Sequence, residues 1–127
     1  MQNYQKNSRK IGDIGEQATA DFLLRHGYEI LRRNYTVRGG EIDIIARKGS
    51  MTCFVEVKTR QPSPLEEGEQ AITPTKKKRI VAAAQRFIDE VKSDCEQCRF
   101  DVAVVTVSDK TVTHLKYYVN AFDGSKQ

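Results

Sequence analysis

The chain has 127 residues, 39% of them hydrophobic, enough for one core, and residues 1–127 read as a single domain. No apolar stretch approaches a membrane span, and Met1 to Lys10 lacks the apolar centre of a signal peptide, so a cytoplasmic protein with no membrane partner is expected. The net charge of +4 is modest, yet the basic residues cluster.

In chain order, residues 1–9 read as a flexible tail. Ile11, Ile14, Ala18 and Phe22 or Leu23 then recur at helical spacing, and Gly27 stands where a C-cap glycine belongs. Tyr28 to Tyr35 reads as a strand, and a tight Gly39-Gly40 turn leads into a second, Glu41 to Ala46. Arg47-Lys48-Gly49-Ser50 has turn composition, and so short a connection makes the next run, Phe54 to Arg60, an antiparallel neighbour of the second. Gln61 to Gln70, with Pro62, Pro64 and Gly68, is one long loop, expected to be mobile and adjacent to the strand bearing Lys58. Thr73 and Pro74 supply an N-cap and a first helical position for a helix through Ile80, Ala83, Ala84, Phe87, Ile88 and Val91. Phe100 to Val107 is apolar almost throughout, which places it inside the sheet beside the preceding strands. Asp109-Lys110 turns it into Val112 to Val119, and residues 123–127 should fray. The order α-β-β-β-α-β-β predicts an α/β sandwich, a central mixed sheet flanked by helices.

The chemistry concentrates in the second and third strands. Alternation puts Glu41, Asp43 and Ile45 on one face, opposite Ile42, Ile44 and Ala46, and puts Glu56 and Lys58 together on one face of the next strand. Asp43 can then sit across from Glu56. A solvated sheet face would also carry acids and lysines at alternate positions, but Ile45 and Phe54 are apolar on that face, which suits strands buried on both sides. Buried carboxylates that converge need a cation or a shared proton between them. Oxygen ligands without histidine or thiol favour a hard ion, magnesium or manganese. A lysine beside them could orient a nucleophilic water or stabilise charge on a phosphate.

An acid on one strand followed by acid-x-lysine on the next resembles the PD-(D/E)xK signature of the restriction endonuclease-like superfamily, with Ile42 in place of the proline. More closely, Gly15-Glu16-Gln17-Ala18, Arg33-Asn34, Gly40-Glu41-Ile42-Asp43, Phe54-Val55-Glu56-Val57-Lys58-Thr59-Arg60, Lys76 and Arg99-Phe100-Asp101 resemble the YraN family of small bacterial proteins, related to archaeal Holliday-junction resolvases. The resemblance spans about Gly12 to Phe122 and implies the restriction endonuclease-like three-layer sandwich. It also implies Asp43 and Glu56 as metal ligands, the Val57 carbonyl as a further one, Lys58 as the catalytic lysine and Glu16 as an acid reaching the metal or its water. A junction resolvase would further require a symmetric homodimer to cut two strands.

Lys76-Lys77-Lys78-Arg79 opens the second helix, Arg32-Arg33 and Arg38 flank the first site strand, and Lys6, Arg9 and Lys10 lie near the amino terminus. A lysine run is more often a solvated helix face; beside a carboxylate site it suits a polyanion, and Lys76, Lys77, Arg79, Arg33 and Arg60 are the expected nucleic-acid contacts. Arg99 and Asp101 read as an internal ion pair. Cys53 reads as a small core residue, and Cys95-x-x-Cys98 lacks the second pair that a zinc site needs. His26 and His114 have no nucleophile pattern around them, which disfavours a Ser-His-Asp hydrolase. The expected function is metal-dependent phosphodiester hydrolysis on DNA, with branched or recombination and repair intermediates among the candidate substrates. The alternatives are an inactive nucleic-acid-binding module or a regulatory partner in DNA recombination or uptake.

Overall fold

The computed structural model describes residues 4–62, 72–91 and 97–124, with side chains from Lys10 onward. Most of the long loop expected after Arg60, together with Cys95, the side chains of Lys6 and Arg9, and residues 125–127, lies outside the described residues. The elements are α1 (Tyr4–Arg25), β1 (Glu29–Val37), β2 (Gly40–Lys48), β3 (Met51–Arg60), α2 (Pro74–Val91), β4 (Gln97–Ser108) and β5 (Thr111–Phe122). Helix α1 therefore begins before Ile11, where its apolar periodicity starts, within the expected tail, through polar residues such as Gln5, Lys6 and Arg9 that favour helix.

Local signals act where the sequence puts them. Gly27, at φ 87°, ends α1: its own N–H bonds the Leu24 carbonyl, and the Tyr28 N–H reaches back to Leu23 at 2.9 Å. The Thr73 hydroxyl accepts from the Lys76 N–H at 3.1 Å and caps α2 before Pro74. Asp109 and Lys110 both take left-handed backbone, at φ 53° and 66°, the geometry of a tight hairpin turn between β4 and β5.

The five strands form one mixed sheet in chain order: β3 and β4 run parallel, joined across α2, and every other neighbouring pair is antiparallel. A parallel pair needs a crossover, which α2 supplies. Phe54, Ile45, Val102 and Val104 pack beneath Ile80, Ala83, Ala84 and Phe87 of α2. Ile44, Ala46, Cys53, Val55 and Ala103 pack on the opposite face with Ala20 and Leu23 of α1. The sandwich thus has three layers. Phe54 is 1% exposed and meets Phe87 edge-on, and its burial contributes about 1.5–3 kcal/mol.

One expected alternation fails. Ile42 packs with Ile45 in the cluster under α2, not with Ile44 and Ala46. The strand turns over at Asp43, where its ladder with β3 ends.

The start of β2 also touches α2 backbone to backbone. A Cβ on Gly40 would meet the Arg79 carbonyl oxygen and the Ala83 amide, neither of which can swing aside. Gly40→Ala should therefore cost roughly 1–3 kcal/mol by overpacking. Urea unfolding measures it, and an unchanged midpoint would show that the close approach is not required.

Candidate active site

β2 and β3 pair only from Ile44↔Val55 to Lys48↔Met51. Beyond that point β2 stays with β1 as far as Val37↔Gly40, while β3 stays with β4 as far as Arg60↔Thr106. The sheet therefore forks, and continuing the register puts Asp43 and Glu56 at the apex. Asp43 fills the gap left by the missing ladder: its Oδ2 accepts the Val57 N–H at 2.8 Å. A residue's N–H and C=O leave a strand on the same side, so the Val57 carbonyl also faces the fork.

Glu56 is 7% exposed. The Lys76 ammonium lies 3.5 Å from its Oε2, while Oε1 is buried with no hydrogen-bond partner. An orphaned carboxylate oxygen at such depth is costly unless something binds it. Burial, then the charge of Asp43, push the Glu56 carboxyl up to about 8 against the opposing pull of Lys76. Burial pulls the Lys76 ammonium down, but Glu56 and Glu41 outweigh it and its proton is held more tightly than usual.

The remaining groups arrive from both faces. Lys58 follows Glu56 on the α2 side of β3, half-buried, with no ion pair among the described residues. Glu41 bridges two cations, Lys76 at 3.3 Å and Arg79 at 3.2 Å. From the other face, α1 packs so closely that a Cβ on Gly15 would run into the Thr59 hydroxyl, which sets the adjacent Glu16 near the fork. Burial and the charge of Asp43 raise the Glu16 carboxyl, while Arg33 and a hydrogen bond with Asn34 oppose them. An unbroken sheet would hold Glu16 and Glu56 apart; the fork lets groups from both layers converge.

Asp43, Glu56 and the Val57 carbonyl are the groups that could hold a divalent cation. Among the described residues no three Asp, Glu, His or Cys side chains cluster closely enough to enclose a metal. Two carboxylates, one of them with an orphaned oxygen, fit magnesium or manganese, which bind through one or two carboxylates and keep several waters.

The expected phosphate contacts lie in different settings. Lys76 and Arg79 are engaged with the site carboxylates, Arg33 donates to Gln17 at 3.0 Å, Lys77 lies over the Phe122 ring at 5.5 Å, and Arg60 is half-buried at the end of β3. Sequence reasoning missed Glu41 as a partner of Lys76 and Arg79, although its place two residues before Asp43 was a usable signal. Arg99 and Asp101 form the internal ion pair. Cys53 is fully buried, and burial pushes its thiol up to about 12.

Because folded Glu56 keeps its proton at pH values where the unfolded chain has released it, stability falls as pH rises from about 4.5 to about 8. The double variant Asp43→Asn, Glu56→Gln keeps an acceptor for the Val57 N–H and removes both the repulsion and that loss. Without metal it should be at least as stable as wild type, by the greater margin at about pH 9. A clear drop in its metal-free melting temperature would identify the two acids as structural.

The sequence model described as uncharacterised protein family UPF0102 matches residues 15–105, a span holding every charged group above. A UPF0102 protein of Chlorobium phaeobacteroides is 48% identical over 99 residues, covering 76% of each chain. One of Dictyoglomus thermophilum is 39% identical over 91% of this chain and 99% of its own. One of Geotalea daltonii is 37% identical over 97% and 98%.

Proposed function

The chain belongs to the uncharacterised protein family UPF0102, the YraN family, and from the forked site within the matched span we propose a divalent-metal-dependent endonuclease acting on DNA by phosphodiester hydrolysis. The observation that carries this reading is Glu56, buried beside a second acid with one oxygen unpartnered. A binding module has no use for converging carboxylates, which repel a phosphate unless a cation lies between them.

Asp43, Glu56 and the Val57 carbonyl would hold magnesium or manganese. When bound, the ion would supply Lewis-acid stabilisation of the phosphate and a lowered pKa for a bound water. The protein's own residues do the rest. Lys58, on the strand face it shares with Glu56, donates to a phosphate oxygen or orients the attacking water. Glu16 approaches from the α1 side and, with its proton held more tightly than usual, can exchange one with a water at the fork. Lys77 and the exposed arginines of β1 draw the polyanion toward the site.

The deciding experiment offers duplex, single-stranded, flapped and four-way-junction DNA with magnesium, manganese or chelator. Metal-dependent cleavage lost in Asp43→Ala and Glu56→Ala is the expected result, and two symmetric cuts in a junction would add a homodimer. Binding without cleavage across the panel would move the assignment to a non-catalytic DNA-binding module. Among the described residues no helix is long and apolar enough to cross a membrane.

A further inference from the structure

Lys76 enters the fork from the first turn of α2, and one ammonium serves two acids: it lies 3.3 Å from Glu41 Oε2 and 3.5 Å from Glu56 Oε2. These acceptors differ in kind. The Glu56 side chain is 9% exposed and that of Glu41 40% exposed. Glu41 has a second cation, Arg79, on its other oxygen at 3.2 Å, so it stays paired wherever Lys76 goes. Glu56 has no such reserve, and its Oε1 is left with no partner. Lys76 thus half-satisfies the buried acid while remaining in reach of a fully serviced, more exposed one.

We propose that Lys76 is the resident counter-ion of this site: it stands in for the divalent cation at Glu56 in the metal-free protein and shifts onto Glu41 when the cation binds. The inference rests on reading Asp43 and Glu56 as cation ligands. A monovalent and a divalent cation held on the two oxygens of one carboxylate repel each other across a few ångströms, and the partly desolvated surroundings screen that repulsion poorly. The shift is short, because the ammonium already touches both acids, and it ends at the rim of the fork, where a positive charge meets an incoming phosphate. Lys76 is a positioning residue in this scheme, since it acts on the metal through Glu56.

The test is calorimetric titration with manganese, without DNA, of wild type, Lys76→Met, Lys76→Arg and Lys78→Met. Removing the competitor should tighten manganese binding by about tenfold in Lys76→Met. Lys76→Arg, which keeps the charge, should stay near wild type. Lys78→Met removes an equal charge two residues along the helix, at an exposed position, and should leave the affinity unchanged. In parallel, the metal-free melting temperature of Lys76→Met should fall relative to wild type, and saturating manganese should close the gap. Lys76→Gln, with a polar side chain in the same place, should move affinity in the same direction if the methionine variant folds poorly.

Equal affinity in wild type and in folded Lys76→Met or Lys76→Gln would overturn the inference while leaving the metal site standing. An equal gain in Lys78→Met would reduce it to a general field effect and overturn it as well. Failure of wild type to bind manganese or magnesium would remove the site and the inference together.

Discussion

Lys58→Ala should fold as wild type does, bind manganese and DNA nearly as tightly, and cleave DNA at least about a hundredfold more slowly. The expectation follows from position. Lys58 shares a strand face with Glu56, is half-buried, and has no ion pair among the described residues, so its removal strands no ion-pair partner among them. A lysine that merely solvated the sheet would be replaceable without effect on rate. Single-turnover cleavage of whichever DNA the substrate panel identifies gives the answer, with calorimetry and melting curves to confirm that fold and metal site survive. Wild-type rates in the variant would end the assignment of Lys58 as a catalytic residue.

The largest effect on stability is expected at Asp101, which is fully buried. Its carboxylate accepts from Arg99 Nε at 2.9 Å and Nη2 at 3.0 Å, from the Tyr117 hydroxyl at 2.6 Å and from the Asn120 N–H at 2.8 Å. Arg99 in turn donates to the Tyr28 hydroxyl at 2.8 Å, so one acid ties the connection between α1 and β1 to β4 and β5. Burial and the charge of Asp101 also push the Tyr117 hydroxyl's proton loss far above its ordinary range, so Tyr117 remains a donor. Asp101→Ala strands a guanidinium, a hydroxyl and a backbone N–H at once. The cost should be roughly 3–5 kcal/mol, a large share of the roughly 5–15 kcal/mol typical of a small domain. Urea unfolding measures this. A loss under about 1 kcal/mol would mean that water replaces the network without penalty. The folded fraction should bind manganese as wild type does, which separates this acid from those at the fork.

Much of this architecture is legible before any coordinates are considered, because its causes are local. Gly27 and Thr73 mark helix ends through the backbone geometry and hydrogen bonds of single turns. Asp43 and Glu56 meet because a short hairpin sets the register and strand side chains alternate, two rules that act within a few residues. The apolar run from Val102 to Val107 announces a strand covered on both faces, and β4 is buried through that stretch.

What the sequence by itself determined is thus the element order, the caps, the hairpins and the pairing of the two central acids, all governed by short-range geometry. Only the tertiary structure decided that β2 leaves β3 at Asp43, which turns Ile42 toward α2 and opens the fork. It also decided that Lys76 and Arg79 reach Glu41 across the sandwich, that Lys76 touches Glu56, and that Tyr28 and Tyr117 close around Arg99 and Asp101. These partners are far apart in sequence, and their meeting depends on how closely a helix packs on the sheet at residues such as Gly40 and Gly15. Alternation and periodicity say which face a side chain takes, but packing distance sets what it meets there.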